Sequence, residues 1–468
     1  MTHPVTNESN SPSGLSKSLK PRHVSMITIG GIIGAGLFVG SSVAISAAGP
    51  AILISYALTG LLVLLIMRML GEMAVDMPHV RSFTEFSRAG LGNWAGFSVG
   101  WLYWYFWVVV IPVEAIAGAN ILQEFLPMPV WMVEHGFSPQ LVIGLGLMAL
   151  MTAVNLMSAR AYGEFEFWFA SIKVAAIISF ITLGLSHALG FHSDQGMTFA
   201  NLYSHGGFAP KGAFAVLAAV TTVIFSMMGA EVVTIAAAES AEPARAVARM
   251  TSTIIVRILI FYVGSIFVIC SVLPWTEVKS GISPFAAALD TLHIPYAGLI
   301  MKGIILTAVL SCLNSAFYVA SRVLFVLAEQ GDAPRALVKT NASLVPARAV
   351  LLASIAGFLG VLANLKLPNV YAFLTNASGA VIVVIYLATA VSQIITRRRR
   401  EAAGGPPPTL PMWLFPILSY VAIAGMIAVL VAMAITPEHQ AEFWASMVSI
   451  AVALVMYAVL RRGKAKQA

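Results

Sequence analysis

The chain has 468 residues, of which 59% are hydrophobic and only 10% are charged, and its formal net charge is +7. Soluble proteins carry about 25% charged residues, so this composition excludes an ordinary soluble domain and indicates a chain that crosses a membrane repeatedly. Cys270 and Cys312 lie in apolar blocks, and the nine histidines lack ligand spacing. We therefore expect no disulfide framework, no metal site and no cofactor.

The first 23 residues are polar and precede the apolar blocks. They contain no short apolar core, so the sequence predicts a disordered tail and no cleaved signal peptide. Reading each later apolar block of about 18 residues or more as a membrane-spanning helix predicts about twelve spans. The blocks lie near residues 24–48, 50–70, 94–125, 139–158, 164–189, 212–238, 252–273, 296–328, 347–363, 370–395, 412–435 and 442–460. The predicted fold class is an all-α polytopic membrane protein.

The first block is unusually rich in glycine between positions 30 and 36. Backbone groups in hydrocarbon must find partners inside the protein, so such a stretch is tolerated only where protein or a polar cavity covers the loosened backbone. If the helix unwinds near Ile33 to Gly36, the next half-helix presents free N–H groups and a positive dipole end, which suit a carboxylate. The alternative is close helix packing, because Gly30/Gly34 and Gly36/Gly40 are also small-xxx-small pairs.

The sixth block carries a second small-residue interruption, Phe225 to Glu231. Interrupted helices at corresponding positions of two halves indicate an inverted-repeat transporter with a site near the middle of the bilayer. The predicted units are a cytoplasmic tail (1–23), a first five-helix repeat (24–190), a second, inverted five-helix repeat (212–395), a basic loop with two additional helices (396–460) and a basic tail (461–468).

The positions of Lys and Arg predict the orientation. Placing the N terminus in the cytoplasm assigns most of the 27 basic residues to the cytoplasmic side, so we expect both termini there. The run Arg397 to Arg400, directly after the tenth block, is expected to anchor that span and is a candidate contact for anionic lipids of the bilayer. We expect no nucleic acid partner, and the sequence leaves the oligomeric state open.

Lys173 lies near the centre of the fifth block, where a lysine costs at least about 2.5 kcal/mol on insertion scales. One interpretation is coupling, in which its ammonium bonds exposed carbonyls of the broken first helix or releases a proton during a transport cycle. The other is structural, in which a permanently charged Lys173 fastens the fifth span to the first. The sequence leaves both open.

Glu231 and Glu114 are further carboxylates inside the membrane, and both are candidates for proton coupling together with Lys173. Glu231 adjoins the second interruption and is also a candidate contact for a substrate amino group. Glu114 follows Pro112, which is expected to kink the third span, and its alternative role is a protonated group bonded between helices. Glu164 and Glu166, at the predicted start of the fifth span, are interpreted as acids that favour the helix N-terminus.

Two more positions complete the predicted site. Tyr103, from the aromatic run at 101–107, is a candidate wall, and so is Trp107. Asn314, in the eighth span, either lines a pathway or bridges two helices. The spans contain no paired aspartates, zinc-spaced histidines or activated serine, so we expect no enzyme activity.

Four separated motifs occur in order along the chain, at Gly30–Phe38, Gly163–Trp168, Lys173–Val174 and Phe225–Glu231. Together they resemble the amino acid transporter family within the amino acid–polyamine–organocation superfamily, and the likeness covers about residues 17 to 460. Within that family, residues 66–75 and 229–240 are most similar to the bacterial 4-aminobutyrate (GABA) permeases.

The resemblance implies a proton-coupled symporter of the bacterial inner membrane that imports GABA or a related amino acid by alternating access. It implies that Lys173 matches the fifth-span lysine that occupies the sodium position in proton-coupled relatives. It also implies main-chain contacts to the substrate: the amides of Ile33, Gly34, Ala35 and Gly36 for the carboxylate, and the carbonyls of Phe225, Ser226 and Met228 for the amino group.

One departure from the family pattern is the stretch 78–83, where relatives usually have a small Thr-Gly pair before Ser-Phe; it concerns gate kinetics more than substrate choice. Because main-chain contacts do not select the rest of the substrate, another amino acid, aromatic or small and neutral, is the alternative substrate. An exchanger or a receptor on the same scaffold is the alternative mechanism.

Overall fold

The computed structural model describes residues 32–465 except 78–79, 81–82, 127–133, 135–137, 158, 192–195, 233–258 and 365–369. Within these ranges the regular secondary structure is helical, and no strand occurs. The predicted tail at 1–23, the glycines Gly30 and Gly31, and most of the stretch 78–83 lie outside the described residues.

The helices up to the second interruption are α1 (Ala35–Phe38), α2 (Gly40–Ala48), α3 (Ile52–Asp76), α4 (Phe83–Leu91), α5 (Asn93–Phe125), α6 (Pro139–Asn155), α7 (Ala159–Ala188), α8 (Gly212–Ala218) and α9 (Val220–Met227). The later helices are α10 (Leu259–Val272), α11 (Pro284–Thr291), α12 (Ala297–Glu329), α13 (Ala347–Ala363), α14 (Val370–Ala402), α15 (Ile417–Ile435) and α16 (Gln440–Ala465). Short 3-10 turns lie at Gly49–Ala51, Phe199–Leu202, Trp275–Glu277, Arg335–Val338 and Pro437–His439.

Seven helical stretches of the described chain are long and apolar enough to cross a membrane. One of them, Ala35–Asp76, extends over 42 residues and is divided by the 3-10 turn at Gly49–Ala51, where the Gly49-Pro50 pair predicts a turn. Shorter apolar helices lie between the long ones, including α6, α10 and α13. The chain is therefore a multi-pass helical membrane protein, as its composition predicts.

Helices α5 and α12 form the centre of the bundle and pack against each other more extensively than any other pair among the described elements. Each has 33 residues, so at about 1.5 Å per residue each is longer than the ~30 Å hydrocarbon core. Helix α5 continues through Pro112, and α13 passes beside this residue at Gly360, where an added Cβ would lie 2.5 Å from the proline Cγ. The centre of the bundle is thus packed too closely for any larger residue at this crossing.

The arginine run at 397–400 does not end a helix, because α14 continues through it to Ala402. Arg397 donates to the Glu72 carboxylate on α3 at 3.1 Å, and Arg400 forms an ion pair with Asp76 at the end of the same helix. Arg397 and Arg400 are therefore paired within the protein, and a contact of the arginine run with anionic lipid stays a prediction.

Glu72 is the centre of this polar cluster and is only 2% exposed. Its carboxylate also accepts hydrogen bonds from the Gln393 side chain, at 2.8 Å, and from the Met412 main-chain N–H. Gln393 in turn accepts a bond from Ser419 at 3.1 Å. The cluster therefore joins α3, α14, α15 and the segment between the last two.

Removal of Glu72 tests how much this cluster stabilises the fold. Glu72→Ala leaves the Arg397 guanidinium without its buried partner, so we expect the free energy of unfolding to fall by about 3–5 kcal/mol. Glu401→Ala is the matched control: Glu401 pairs with the same Arg397 but is 52% exposed, so we expect at most about 0.5 kcal/mol. Unfolding of the detergent-purified protein measures both, and equal losses for the two variants would contradict the assignment.

Candidate substrate and coupling site

The described main chain is irregular at Ile33 and Gly34, where the glycine pattern predicts an interruption. Gly34 has an extended backbone with φ −134° and ψ −150°, and α1 begins at the next residue, Ala35. Helix α1 ends at Phe38 and α2 starts at Gly40, so the main chain is irregular on both sides of this short turn. All of these residues are buried, so the loosened backbone lies inside the protein and not in lipid.

The second interruption follows α9, which ends at Met227. Met228 is extended, with φ −63° and ψ 153°, and Gly229 has a positive φ of 111°, a conformation that suits glycine. Glu231 lies in the same turn. The described main chain leaves helical geometry here, as predicted, and the continuation at 233–258 lies outside the described residues.

The two interruptions pack directly against each other. A Cβ added to Gly36 would lie 2.6 Å from Ser226 Cα, closer than real contacts allow, so close packing and interruption occur together at this glycine. The Tyr262 hydroxyl, from α10, lies 3.0 Å from the Ile32 carbonyl and also hydrogen-bonds the Ser226 carbonyl. The Tyr262 hydroxyl therefore contacts one carbonyl from each interruption.

The amide at the start of α1 is bound by a carboxylate of the protein itself. The Ala35 N–H lies 3.0 Å from each oxygen of Glu114, a buried residue of α5. In the next peptide unit, the Tyr371 hydroxyl donates to the Ala35 carbonyl at 3.2 Å. The resemblance assigns the Ala35 N–H to a substrate carboxylate. In this structure the Ala35 N–H does bind a carboxylate, which is that of Glu114.

A small cavity of about 10 Å³, room for about one water molecule, lies between the interruptions. Its walls come from four helices and both breaks: Ile32, Gly36, Phe106, Trp107, Val110, Glu114, Phe225, Ser226, Met228 and Cys312. The cavity is too small for an amino acid, so the structure represents a closed arrangement of the site. An amino acid enters only if these walls move apart.

Glu231 is fully buried and belongs to a network of hydroxyl donors. The Tyr103 hydroxyl donates to its Oε1 at 2.8 Å, and the Tyr386 hydroxyl donates to its Oε2 at 3.1 Å. The Gly229 N–H also reaches Oε2, at 3.3 Å. Glu231 therefore holds the second interruption against α5 and α14, and Tyr103 contacts this carboxylate and not the cavity wall.

Lys173 is fully buried on α7. Its Nζ donates to the Ser311 hydroxyl at 2.8 Å and lies 4.0 Å from Glu166 Oε1, and Ser311 itself donates to that oxygen. The interpretation of Glu166 as a helix N-terminal acid is wrong: α7 starts at Ala159, so Glu166 lies about two turns inside the helix, where it is completely buried. The side chain of Glu164 lies outside the described residues.

Asn314 lies away from the cavity wall. The Asn155 side-chain amide on α6 donates to its Oδ1 at 2.7 Å, which matches the helix-bridging alternative. A role as a substrate ligand remains a prediction for this residue.

Sequence reasoning missed Tyr262, Ser311 and the proper role of Glu166. The spacing of Glu166 and Lys173, seven residues apart, places both on one helix face and was the available signal for the pair. Tyr262 and Ser311 offered none, because each contacts its partner across a large sequence separation: Tyr262 and Ile32 are 230 residues apart.

The contact between the interruptions yields a test at Gly36. Gly36→Ala forces the first interruption away from Ser226, and we expect uptake of labelled amino acid into liposomes to fall about tenfold or more, because small displacements in such sites are costly. Gly40→Ala is the matched control: an added Cβ there meets Tyr371 Oη at an ordinary 3.5 Å. Similar uptake by the two variants would show that the contact is unimportant.

Comparison with known proteins identifies the family of the chain. The amino acid permease family matches residues 23–466. A gamma-aminobutyric acid permease of Bacillus subtilis is 43% identical over 460 residues, covering 98% of this chain and 96% of the relative. A probable GABA permease of Pseudomonas aeruginosa is 46% identical, with 93% and 90% covered, and a gamma-aminobutyric acid permease of Escherichia coli is 47% identical, with 93% and 92% covered. The chain therefore belongs to the amino acid permease family, whose members are membrane transporters and not enzymes.

Proposed function

We propose that this permease imports 4-aminobutyrate together with a proton, by alternating access across the bacterial inner membrane. The observation that carries the proposal is the Ala35 amide, which lies at a helix interruption inside the bundle and already binds a carboxylate, that of Glu114. The similarity to GABA permeases over nearly the whole chain supports the choice of substrate.

For the architecture we propose twelve spans arranged as two inverted five-helix repeats, residues 24–190 and 212–395, with two further helices at the C-terminal end. The described interruptions, in α1–α2 and after α9, fall near the start of each repeat and support this division. The distribution of Lys and Arg supports cytoplasmic termini.

The substrate carboxylate is proposed to replace Glu114 at the Ala35 amide. Two ionised carboxylates cannot share one N–H, because like charges at such short range repel strongly in a buried site. Glu114 must therefore take up a proton or swing away as the substrate arrives. Protonation of Glu114 and binding of the substrate are therefore linked, because both depend on which carboxylate binds the Ala35 N–H.

The substrate ammonium is proposed to bind the carbonyls of the second interruption, at Phe225, Ser226 and Met228, with Glu231 as a nearby counter-charge. The Tyr262 hydroxyl now occupies the Ser226 carbonyl, so the ammonium displaces it much as the substrate carboxylate displaces Glu114. GABA places its amine further from the carboxylate than an α-amino acid does, so the site needs length along the line from Ala35 to the second break.

Proton coupling is proposed to involve Lys173 as well as Glu114. The two groups lie near enough to interact electrostatically, and Lys173 is completely buried. One charge that crosses a potential of 100 mV contributes about 2.3 kcal/mol, which supports roughly a fifty-fold substrate gradient. One proton per GABA is therefore sufficient for a scavenging transporter.

Purified protein in liposomes tests the transport mode. We expect labelled GABA to accumulate in empty vesicles when the outside is acidified, and an uncoupler to abolish the accumulation. An exchanger would require internal substrate and a receptor would move none. Concentrative uptake in sodium alone would contradict proton coupling, and stronger competition by aromatic or small neutral amino acids than by GABA would contradict the substrate.

Lys173→Ala tests the role of the buried lysine. We expect this variant to insert into the membrane but to lose proton-driven accumulation, because the buried cation that responds to the proton gradient is gone. Lys302→Ala is the control, since Lys302 is a partly exposed lysine of α12 whose partner is Glu124. Full accumulation by Lys173→Ala would remove this residue from the mechanism.

A further inference from the structure

Glu166 is a buried carboxylate that the proposed symport mechanism does not use. It lies seven residues before Lys173 on α7, and it is completely buried. Seven residues of helix correspond to about 10 Å, so Glu166 lies about that much closer to the N-terminal end of α7. With the proposed orientation, that end faces the cytoplasm.

Ser311 joins the two charged groups into a continuous hydrogen-bonded chain. Lys173 Nζ donates to Ser311 Oγ at 2.8 Å, and Ser311 Oγ donates to Glu166 Oε1. The direct distance from Nζ to Oε1 is 4.0 Å, so the serine hydroxyl bridges what would otherwise be a loose ion pair. Each donor in this chain points toward Glu166.

We propose that Glu166 is the group that accepts the proton of Lys173, through Ser311, and that hands it on toward the cytoplasm. This proposal rests on the proposed proton-coupled symport. In the transfer, an N–H bond of the Lys173 ammonium breaks as its proton moves to Ser311 Oγ, and the hydroxyl proton of Ser311 moves to Glu166 Oε1. A neutral amine and a carboxylic acid replace an ammonium and a carboxylate, so charge and protons balance.

The surroundings favour such an exchange. A buried ion pair carries a large desolvation penalty, so its neutral form is accessible where no water reaches it. Glu114 on α5 and Cys312 on α12 also interact electrostatically with Lys173, and Cys312 interacts with Glu166 as well. Successive interactions therefore connect the Ala35 amide to Glu114, Glu114 to Lys173, and Lys173 through Ser311 to Glu166.

Glu166→Gln tests the assignment in full-length protein in liposomes. Gln keeps the size of the side chain but accepts no proton, so we expect proton-driven GABA accumulation to fall about a hundredfold, while counterflow with GABA on both sides changes less than about threefold. We also expect the dependence of net uptake on internal pH to flatten, which a purely structural role of Glu166 would not cause.

Two variants of the bridge provide an independent test. Ser311→Ala removes the relay hydroxyl and is expected to match Glu166→Gln, whereas Ser311→Thr keeps a hydroxyl and is expected to restore most of the accumulation. Thr307→Ala, on the same helix, is the control, because the Thr307 hydroxyl bonds only its own helix, at the Ile304 carbonyl, among the contacts described.

The outcomes separate the two levels of the proposal. If wild-type protein fails to respond to a proton gradient, the proposed symport fails. If wild type responds and Glu166→Gln accumulates GABA equally well, or loses counterflow to the same extent as accumulation, the relay is overturned while symport stands. If Glu166→Gln does not yield monodisperse protein, equal accumulation by Ser311→Ala and Ser311→Thr overturns the relay by itself.

Discussion

The structure depends on one constraint: main-chain N–H and C=O groups inside a membrane protein need hydrogen-bond partners even where the helix stops. At the first interruption the partners are side chains from other helices, Glu114 for the Ala35 amide and Tyr371 for the Ala35 carbonyl. Tyr262 serves Ile32 and Ser226 across the two breaks. These contacts explain why α5, α10 and α14 converge on the glycine-rich stretch.

Because the Ala35 amide and the Ser226 carbonyl are already paired in the closed state, a substrate that replaces their partners gains little: each new hydrogen bond is exchanged for an old one. A moderate affinity follows, which suits a transporter that has to release its substrate on the other side. The glycines allow the neighbouring helices to approach the main chain closely. Gly34 packs against Cys312 and Glu114, and Gly36 packs against Ser226, each at a distance too short for an added Cβ.

The sequence was informative where a residue type alone carries the physics. The density of glycines predicted the first interruption, and the small residues before Glu231 predicted the second, where Gly229 has a positive φ. The cost of a charge in hydrocarbon identified Lys173 as a residue of interest. It was misleading where tertiary contacts decide. Glu166 and Arg397 both lie near the edges of apolar blocks, a position that predicts contact with solvent or lipid headgroups. Each is nevertheless paired within the protein, Glu166 with Lys173 on the same helix and Arg397 with Glu72 on α3. Arg397 and Glu72 are 325 residues apart, beyond the reach of periodicity, and although Glu166 and Lys173 share a helix face, the Ser311 hydroxyl that bridges them comes from α12.

The cluster around Glu72 has a mechanical consequence. Because Arg397, Gln393 and the Met412 amide all converge on one buried carboxylate, α3 and α14 cannot slide past each other at this end without leaving a charge unpaired in a dry environment. These two helices, with α15 attached through Ser419, are therefore coupled as a rigid unit. The walls that close the cavity lie elsewhere, where Gly36 meets Ser226 and the Tyr262 hydroxyl contacts both interruptions, outside this unit.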